Sequence, residues 1–345
     1  MFRSLRFEEA VDMIRNMKIK RIIITVLTCA LMIMSMAGCS GGSASGGGTS
    51  GSGVKIFYTT PVLDDFKALL LNAIKESGSK YGASVTIGEE CASVDEQVKQ
   101  VREAASSGYD IIICNLVDSE TVLQVEVAAG DLPVIFINSQ PEEDKLEADK
   151  YMYVGSNEND AAYFQAEYVW NKLGKPSSMN VVIFQGQPGH PAAIARTNGV
   201  KDYFKKNNVN VTYVFNDTAY WDTQKAYDEF LIFLKTNQSF DAVICNNDSM
   251  AIGVVDAMQD NGYDTSKIPV VGVDATDGGC DSIREGGMQF TVYQSAVGQG
   301  AAAIEACIAL VKSGSASGVE GVTEDGLYVW VPYVPVDKSN VNSFK

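Results

Sequence analysis

The sequence predicts an α/β fold of two lobes, each built on a doubly wound parallel sheet. Short apolar runs of strand length alternate with helical patterns along most of the chain, and the connections between them are short. Several runs are apolar at every position, as in 111–114, which is typical of a strand covered by helices on both faces. The alternation reaches residue 137 and restarts at Asn159, which indicates two such units.

The individual elements follow in chain order. In the first half, we predict strands at 54–58, 85–87, 111–114 and 134–137, with helices after Asp64 and Asp65 and over 94–105 and 121–129. In the second half, we predict strands at 181–184, 211–215, 242–245, 270–273 and 290–293. One helix there begins at Asn159, and three others span 193–204, 223–234 and 301–311. A further helix is capped by Asp248 and stops at Gly262.

The composition describes a folded, acidic protein. Hydrophobic residues make up 46% and charged residues 20% of the 345 positions, and this length exceeds one ordinary core. The formal net charge is −16; without residues 1–38, which hold six bases and three acids, 21 bases and 40 acids remain and the charge is −19. Such acidity argues against nucleic acid and anionic lipid surfaces as partners. Five cysteines follow residue 39, an odd number without Cys/His zinc spacing, so we expect neither a disulfide framework nor a zinc site.

The N-terminal region predicts an exported lipoprotein. From Met17, which we take as the true start, a basic segment leads into the apolar stretch 22–34, as in a signal peptide. The stretch ends in Ser-Met-Ala-Gly-Cys at 35–39, which resembles a bacterial lipobox and implies cleavage before Cys39 and acylation of its thiol. Residues 1–38 are then the signal peptide, and 39–53 are the lipidated cysteine and a flexible Gly/Ser tether. A plain transmembrane helix is the alternative, but the stretch is shorter than the ~20 residues that span a bilayer.

Polar, planar side chains gather at the predicted strand ends, where ligands bind in open α/β sheets. The only histidine, His190, lies in a Gly/Pro-rich turn after strand 181–184, and Arg196 follows in the next helix. The set is Asp64, Asn115, His190, Arg196, Asn247, Asp274 and Gln294, with Trp221 in a loop. Sugar hydroxyls both donate and accept hydrogen bonds, and the C–H faces of the ring stack on aromatics, so this mixture points to a sugar. Each residue alone is also compatible with a turn or capping role.

Several motifs carry a family likeness. They are Gly189-His190-Pro191 with Arg196 and Thr197, and the segments 217–223, 246–251, 272–275 and 331–338, with 115–118 and 153–155 in agreement. Together they resemble the ribose-type family of periplasmic sugar-binding proteins, and its galactose/glucose branch in particular. The likeness covers nearly all of residues 54–340.

The resemblance implies a type I periplasmic binding protein, in which two lobes joined by three hinge crossings close on a ligand. Residues 54–138 with 296–330 would form the N-terminal lobe, and 139–295 with 331–345 the C-terminal lobe. The ligand contacts it implies are Asp64, Phe66, Asn115, His190, Arg196, Trp221, Asn247 and Asp274, together with Gln294. Phe66 and Trp221 would sandwich the sugar ring.

This chain departs from the family pattern at two of these positions and in one loop. The family's aspartate two residues after the histidine is Ala192 here, and its asparagine at the last strand end is Gln294. The family's calcium loop is absent between Leu173 and Val181, so we expect no metal, and no cofactor either. Whether Tyr58 on the first strand contacts the ligand stays open.

We therefore expect a monomeric, non-enzymatic lipoprotein on the outer face of the cytoplasmic membrane. It would capture a galactose- or glucose-like monosaccharide and deliver it to the permease of an ABC transporter. A sensor subunit that feeds a membrane kinase or chemoreceptor, and a binder of a derivatised sugar or glycoside, stay open. A sugar-responsive repressor would need a helix-turn-helix, which the sequence lacks. A glycosidase could pair Asp64 with Asp274, but no general-acid pocket accompanies them.

Overall fold

The computed structural model of the protein describes residues 53–344. The predicted signal peptide, Cys39 and most of the tether therefore lie outside the described residues. Within that range the chain forms two six-stranded sheets. Both are parallel except for one antiparallel edge strand in the second sheet. The predicted fold class, two doubly wound lobes, is confirmed.

The first sheet has the strand order β11-β5-β4-β3-β1-β2. Its strands are β1 (Lys55–Thr59), β2 (Ser84–Ile87), β3 (Ile111–Cys114), β4 (Val134–Ile137), β5 (Tyr151–Gly155) and β11 (Tyr328–Trp330). The helices around it are α1 (Asp65–Tyr81), α2 (Val94–Ala105), α3 (Val122–Ala129) and α9 (Ala296–Ser313). Its central strands are buried at every position, because helices cover both faces of the sheet.

The second sheet has the strand order β12-β10-β9-β8-β6-β7. Its strands are β6 (Ser178–Gln185), β7 (Asn210–Thr218), β8 (Ala242–Cys245), β9 (Val270–Val271), β10 (Phe290–Tyr293) and β12 (Val334–Asp337). Its helices are α4 (Glu158–Lys172), α5 (Pro191–Lys206), α6 (Thr223–Leu234), α7 (Asp248–Asp260) and α8 (Asp277–Glu285). One of its cores is rich in phenylalanine, with Phe184, Phe230, Phe233 and Phe240 packed together.

The boundary between the lobes differs from the expectation in one segment. The sequence interpretation placed residues 139–155 in the second lobe, but β5 pairs in parallel with β4 and β11 and so belongs to the first sheet. The connection of β4 to β5 holds only a short 3-10 turn, Glu143–Lys145, in place of a helix. The β-α alternation is interrupted at this point, so the sequence pattern did not indicate β5.

The chain passes between the two sheets three times. It leaves the first sheet after Gly155 and enters α4 at Glu158. It returns between Tyr293 of β10 and Ala296 of α9, and crosses again at residues 331–333, between β11 and β12. Within the described range, only α9 has the length and apolar composition of a membrane span. It is a core helix of the first lobe, in which Ile304 and Leu310 are buried.

One helix cap also differs from the expectation. Asn247, rather than Asp248, is the N-cap of α7, and its Oδ1 accepts a hydrogen bond from the N–H of Met250. Asp248 is fully buried instead, where it accepts hydrogen bonds from the N–H of Thr276 and the hydroxyl of Thr291. Two adjacent residues with the same capping ability cannot be told apart by residue type alone.

Candidate functional site

The carboxyl ends of the two sheets border a cavity that opens to solvent, and the empty space in and above it amounts to about 360 Å³. The cavity is lined by Asp64, Phe66, Lys67, Asn138, His190, Ala192, Arg196, Trp221, Asn247, Asp274 and Gln294. Residues of both lobes contribute, as expected where ligands bind at the ends of parallel strands.

The structure brings together eight of the nine residues proposed as ligand contacts. Asn115 is the exception: it does not line the cavity, and only 1% of its surface is exposed. Asn138 lines the cavity from the end of β4, in the left-handed backbone conformation with φ 64°. The strand-end rule that selected the other residues also applies to Asn138, because it directly follows the apolar run 134–137.

Buried polar groups lie near Asn115 at the ends of β1 and β3. The amide of Asn115 and the hydroxyls of Tyr58 and Thr60 lie next to one another, but none of them forms a hydrogen bond of good geometry within the described residues. Burial raises the pKa of Tyr58 to about 12, so its hydroxyl stays protonated. Since unpaired buried polar groups are costly, water is the expected partner of this cluster.

Asp64 and Lys67 form the first-lobe wall at the start of α1. Asp64 is the N-cap, and its Oδ1 accepts a hydrogen bond of 2.8 Å from the N–H of Lys67. Its Oδ2 lies 2.5 Å from Nζ of Lys67, which also donates to the carbonyl of Val62 at 3.3 Å. The sequence interpretation missed Lys67, because a lysine in the first turn of a helix has no distinctive signature.

His190 caps α5 from the second lobe. Its Nδ1 accepts a hydrogen bond of 3.2 Å from the N–H of Ala192. Burial, together with the charges of Lys67 and Arg196, lowers the pKa of His190 to about 3. The imidazole is therefore neutral at pH 7, and its single proton is on Nε2, where it can be donated to a ligand.

Trp221 is held against the cavity by an unusual loop. Tyr220 and Trp221 both have positive φ, 57° and 66°, which non-glycine residues rarely adopt. The indole makes an edge contact with the His190 ring, with centroids 5.3 Å apart. It also lies over Gly186, where a Cβ would come within 2.0 Å of its Cζ2. The glycine is thus required for this placement of the ring.

Arg196 connects the cavity to all three hinge crossings. Its Nε donates to Oε2 of Glu158 at 2.6 Å, beside the first crossing. One terminal nitrogen donates to Oε1 of Gln294 and to the hydroxyl of Tyr333, both at 2.9 Å, at the second and third crossings. The other donates to the carbonyl of Asn246 at 2.6 Å. Four of the five guanidinium hydrogens are therefore engaged, and one is left for a ligand.

Asp274 is the acidic group opposite Asp64. Its backbone is in a rare conformation with φ 116°, and the next residue, Ala275, also has a positive φ of 51°. The carboxylate accepts no hydrogen bond from the described residues, although only 7% of the residue surface is exposed. Burial raises its pKa well above the usual range; the charge of Arg196 opposes this shift, and the Asp248 carboxylate adds to it.

Comparison with known proteins identifies the family. The model of the periplasmic binding protein domain matches residues 56–315. The chain belongs to this family. The periplasmic binding protein described here is 28% identical over 296 residues to the D-galactose/methyl-galactoside binding periplasmic protein MglB of Haemophilus influenzae, which covers 81% of this chain and 88% of that protein.

Solved structures give the same result for the fold. An ABC transporter solute-binding protein of Bacillus halodurans with bound myo-inositol has a TM-score of 0.73 and 28% identity, over 86% of this chain and 98% of the other. A periplasmic solute-binding protein of Actinobacillus succinogenes with bound D-allose has a TM-score of 0.71 over 85% and 100%; its 21% identity shows the fold alone. This periplasmic binding protein is therefore a sugar-binding solute-binding protein of the ABC-transporter type, extracytoplasmic and not an enzyme.

One hydrogen bond joins the two lobes beside the cavity. The hydroxyl of Ser249, in the first turn of α7, donates to Oδ2 of Asp65 in α1 at 2.8 Å. Because α1 belongs to the first lobe and α7 to the second, this contact requires the cleft of the binding protein to be closed.

The described residues of the binding protein offer no cluster of three or more His, Cys, Asp or Glu side chains for a metal ion. The segment 173–181, where the resemblance would place a calcium loop, carries no acidic residue. The five cysteines of the described range are buried and unpaired, and burial raises the pKa of all five thiols, which makes them inert.

Proposed function

We propose that this protein captures a monosaccharide of galactose or glucose shape in the cleft and delivers it to the permease of an ABC transporter. One observation carries the proposal: aromatic and hydrogen-bonding side chains from both lobes line the same cavity. Phe66 from the first lobe and Trp221 from the second supply the apolar surfaces on which the C–H faces of a sugar ring stack.

The polar residues fix the orientation of the ring. His190, Arg196 and Asn138 can donate hydrogen bonds to ring and hydroxyl oxygens, while Asp274 faces the sugar hydroxyls. The donors are oriented before the ligand binds, since Arg196 is fixed by four hydrogen bonds and His190 by its bond to Ala192. A preorganised site loses little entropy when it binds.

Delivery requires that the lobes open and close. A sugar that contacts both lobes stabilises only the closed state, so binding shifts the population of the protein toward closure. The permease would then recognise the two lobes in their closed arrangement. Scattering measurements should show a smaller radius of gyration with saturating sugar than without it, and an unchanged profile with proven binding would contradict this hinge mechanism.

The N-terminal segment gives the proposed location. We infer that Cys39 is the mature N-terminus, that it carries lipid, and that the tether attaches a monomeric protein to the outer face of the cytoplasmic membrane. A mass spectrum of the native protein should show a chain that begins at acylated Cys39. An unmodified Cys39, or a mature start upstream of it, would contradict the lipoprotein assignment.

Titration calorimetry tests the sugar assignment. Wild-type protein should bind at least one of galactose, glucose, xylose and methyl galactoside, and Trp221→Ala should weaken that binding at least tenfold, because the stacking surface is lost. Trp170→Ala is the matched control: this indole donates to the carbonyl of Pro176 and does not line the cavity, so the affinity should stay unchanged. Binding of none of these sugars would refute the assignment, and equal losses in both variants would refute the location of the site.

A further inference from the structure

The Asp274 carboxylate lies at the wall of the cavity without a hydrogen-bond donor among the described residues. The backbone of Asp274 is held by β10: its N–H donates to the carbonyl of Val292 at 2.8 Å, and its carbonyl accepts from the N–H of Gln294 at 3.2 Å. Only 7% of the residue surface is exposed in this arrangement. A buried carboxylate needs hydrogen-bond donors in place of the water that it has lost, and the protein does not supply them here.

The charges around Asp274 do not compensate for its burial. Arg196 is the cation that acts on it, but Nε of Arg196 is already paired with Oε2 of Glu158 at 2.6 Å. Burial raises the pKa of Asp274 most; the charge of Arg196 lowers it, and the carboxylates of Asp248 and Asp64 raise it. The net result is a raised pKa, which means that the ionised form of Asp274 is unfavourable in the closed cleft.

Asp64 acts on Asp274 from the other side of the cleft. Asp64 is the N-cap of α1 in the first lobe, whereas Asp274 follows β9 in the second lobe. Lys67 lies 2.5 Å from Asp64 and offsets part of its charge. Because the two carboxylates belong to different lobes, they approach each other only when the lobes close. Closure therefore removes Asp274 from water and also brings a second carboxylate toward it.

The hydrogen bond from Ser249 to Asp65 acts in the opposite direction, since it joins the lobes and stabilises the closed cleft. Asp65 is exposed, so this bond replaces one that the carboxylate makes with water in the open state. Its net contribution is therefore modest, whereas a buried carboxylate without a partner is strongly destabilising. We expect the open state to be favoured until a ligand meets the requirement of Asp274.

We propose that Asp274 makes closure of the cleft depend on the ligand: its carboxylate opposes closure until a hydroxyl group of the sugar donates a hydrogen bond to it. The inference rests on the proposed sugar-binding function and adds how the protein distinguishes its empty state from its loaded state. A hydroxyl group that donates to Asp274 replaces the water lost on closure. The empty protein then stays open, and the permease meets closed lobes only when they hold a ligand.

Small-angle scattering of the sugar-free protein tests the inference. Asp274→Asn removes the charge with little change in size, and asparagine also adopts a positive φ more readily than most residues, so the backbone should be retained. Without sugar, this variant should have a smaller radius of gyration than sugar-free wild type, close to that of wild type saturated with galactose or glucose. Asp64→Asn should also be more compact than wild type, because asparagine keeps the N-cap and Asp274 then faces Lys67 without its counter-charge.

Asp277→Asn is the matched control, since Asp277 is exposed in the first turn of α8 and does not line the cavity. It removes the same charge and should leave the sugar-free radius of gyration unchanged. A sugar-free Asp274→Asn protein as extended as wild type, or an equal compaction of the control, would overturn the inference. If Asp274→Asn does not fold, Asp64→Asn decides by the same criterion. If wild type binds neither sugar, the proposed function fails, and the sugar-free comparison of the variants still tests the role of Asp274.

Discussion

Removal of the negative charge of Glu158 should destabilise the protein, because Glu158 is the only acidic partner of the buried guanidinium of Arg196 within the described residues. Both side chains are at most 5% exposed. Oε2 of Glu158 accepts two hydrogen bonds, from Nε of Arg196 at 2.6 Å and from the hydroxyl of Tyr333 at 2.7 Å, while Oε1 has no partner in the described range. A glutamine can therefore keep both bonds through its carbonyl oxygen and place its NH2 group where Oε1 was.

The size of the effect follows from that geometry. A hydrogen bond to a charged group contributes about 1.5–3 kcal/mol and a neutral one about 0.5–1.5 kcal/mol. In Glu158→Gln only the bond from Tyr333 becomes a neutral one, because Arg196 keeps its charge, so this substitution should cost about 1–2 kcal/mol. Glu158→Ala leaves the guanidinium buried without its charge partner and should cost about 3–5 kcal/mol. The order wild type, Glu158→Gln, Glu158→Ala is therefore expected for the free energy of unfolding.

Urea denaturation followed by circular dichroism measures these differences. Glu103→Gln is the control, because Glu103 pairs with Lys99 on an exposed helix surface and should leave the unfolding free energy unchanged. Sugar affinity should fall in both Glu158 variants, since Arg196 loses its fixed position in the cavity. If Glu158→Ala were as stable as wild type, the network around Arg196 would not stabilise the fold as described.

Three further predictions concern the cleft and the metal. Gly186→Ala should weaken sugar binding at least tenfold, because the new methyl group displaces Trp221. Gly318→Ala is the control and should leave the sugar affinity unchanged, since no atom lies within 4 Å of the added Cβ. Equal sugar affinities in the two variants would contradict the role of Gly186. Ser249→Ala should weaken sugar binding by about 0.5–1.5 kcal/mol, because the closed state loses the hydrogen bond to Asp65. Calorimetry measures this difference, and an unchanged affinity would show that the contact does not stabilise closure. A chelator should leave the melting temperature unchanged, and a fall of several degrees would reveal a metal site.

The sequence predicted the sheets well where strands are apolar throughout and separated by helices. The runs 111–114, 134–137 and 242–245 agree with the structure residue for residue. It missed β5, β11 and β12. No α-helix separates β5 from β4 or β12 from β11, residues 314–327 separate β11 from α9, and β12 pairs antiparallel at an edge. Their assignment depends on partners distant in sequence, which a local pattern does not contain.

The candidate site was predictable to the extent that strand ends define it. His190, Asp274 and Gln294 line the cavity as the strand ends predict, and Phe66 lines it as the family resemblance implies. Asn115 does not line the cavity and Asn138, which the sequence analysis did not select, does. Both asparagines follow an apolar strand, and only the depth of each in the fold distinguishes them.

The structural role of Arg196 was not predictable from the local sequence. Its partners Glu158, Asn246, Gln294 and Tyr333 are 38, 50, 98 and 137 positions away. Such contacts arise only when the hinge crossings are brought together by the folding of both lobes. The sequence showed an arginine suited to oxygen-rich ligands, and the structure adds its connection to the hinge.

A crystal structure of this protein with galactose or glucose bound would test the central claim most directly. We expect one sugar between the lobes, with its ring between Phe66 and Trp221, and with hydrogen bonds from residues of both sheets. The Ser249 to Asp65 contact should be present in that structure. A sugar bound outside this cleft, or one held by a single lobe with the cleft open, would contradict the account.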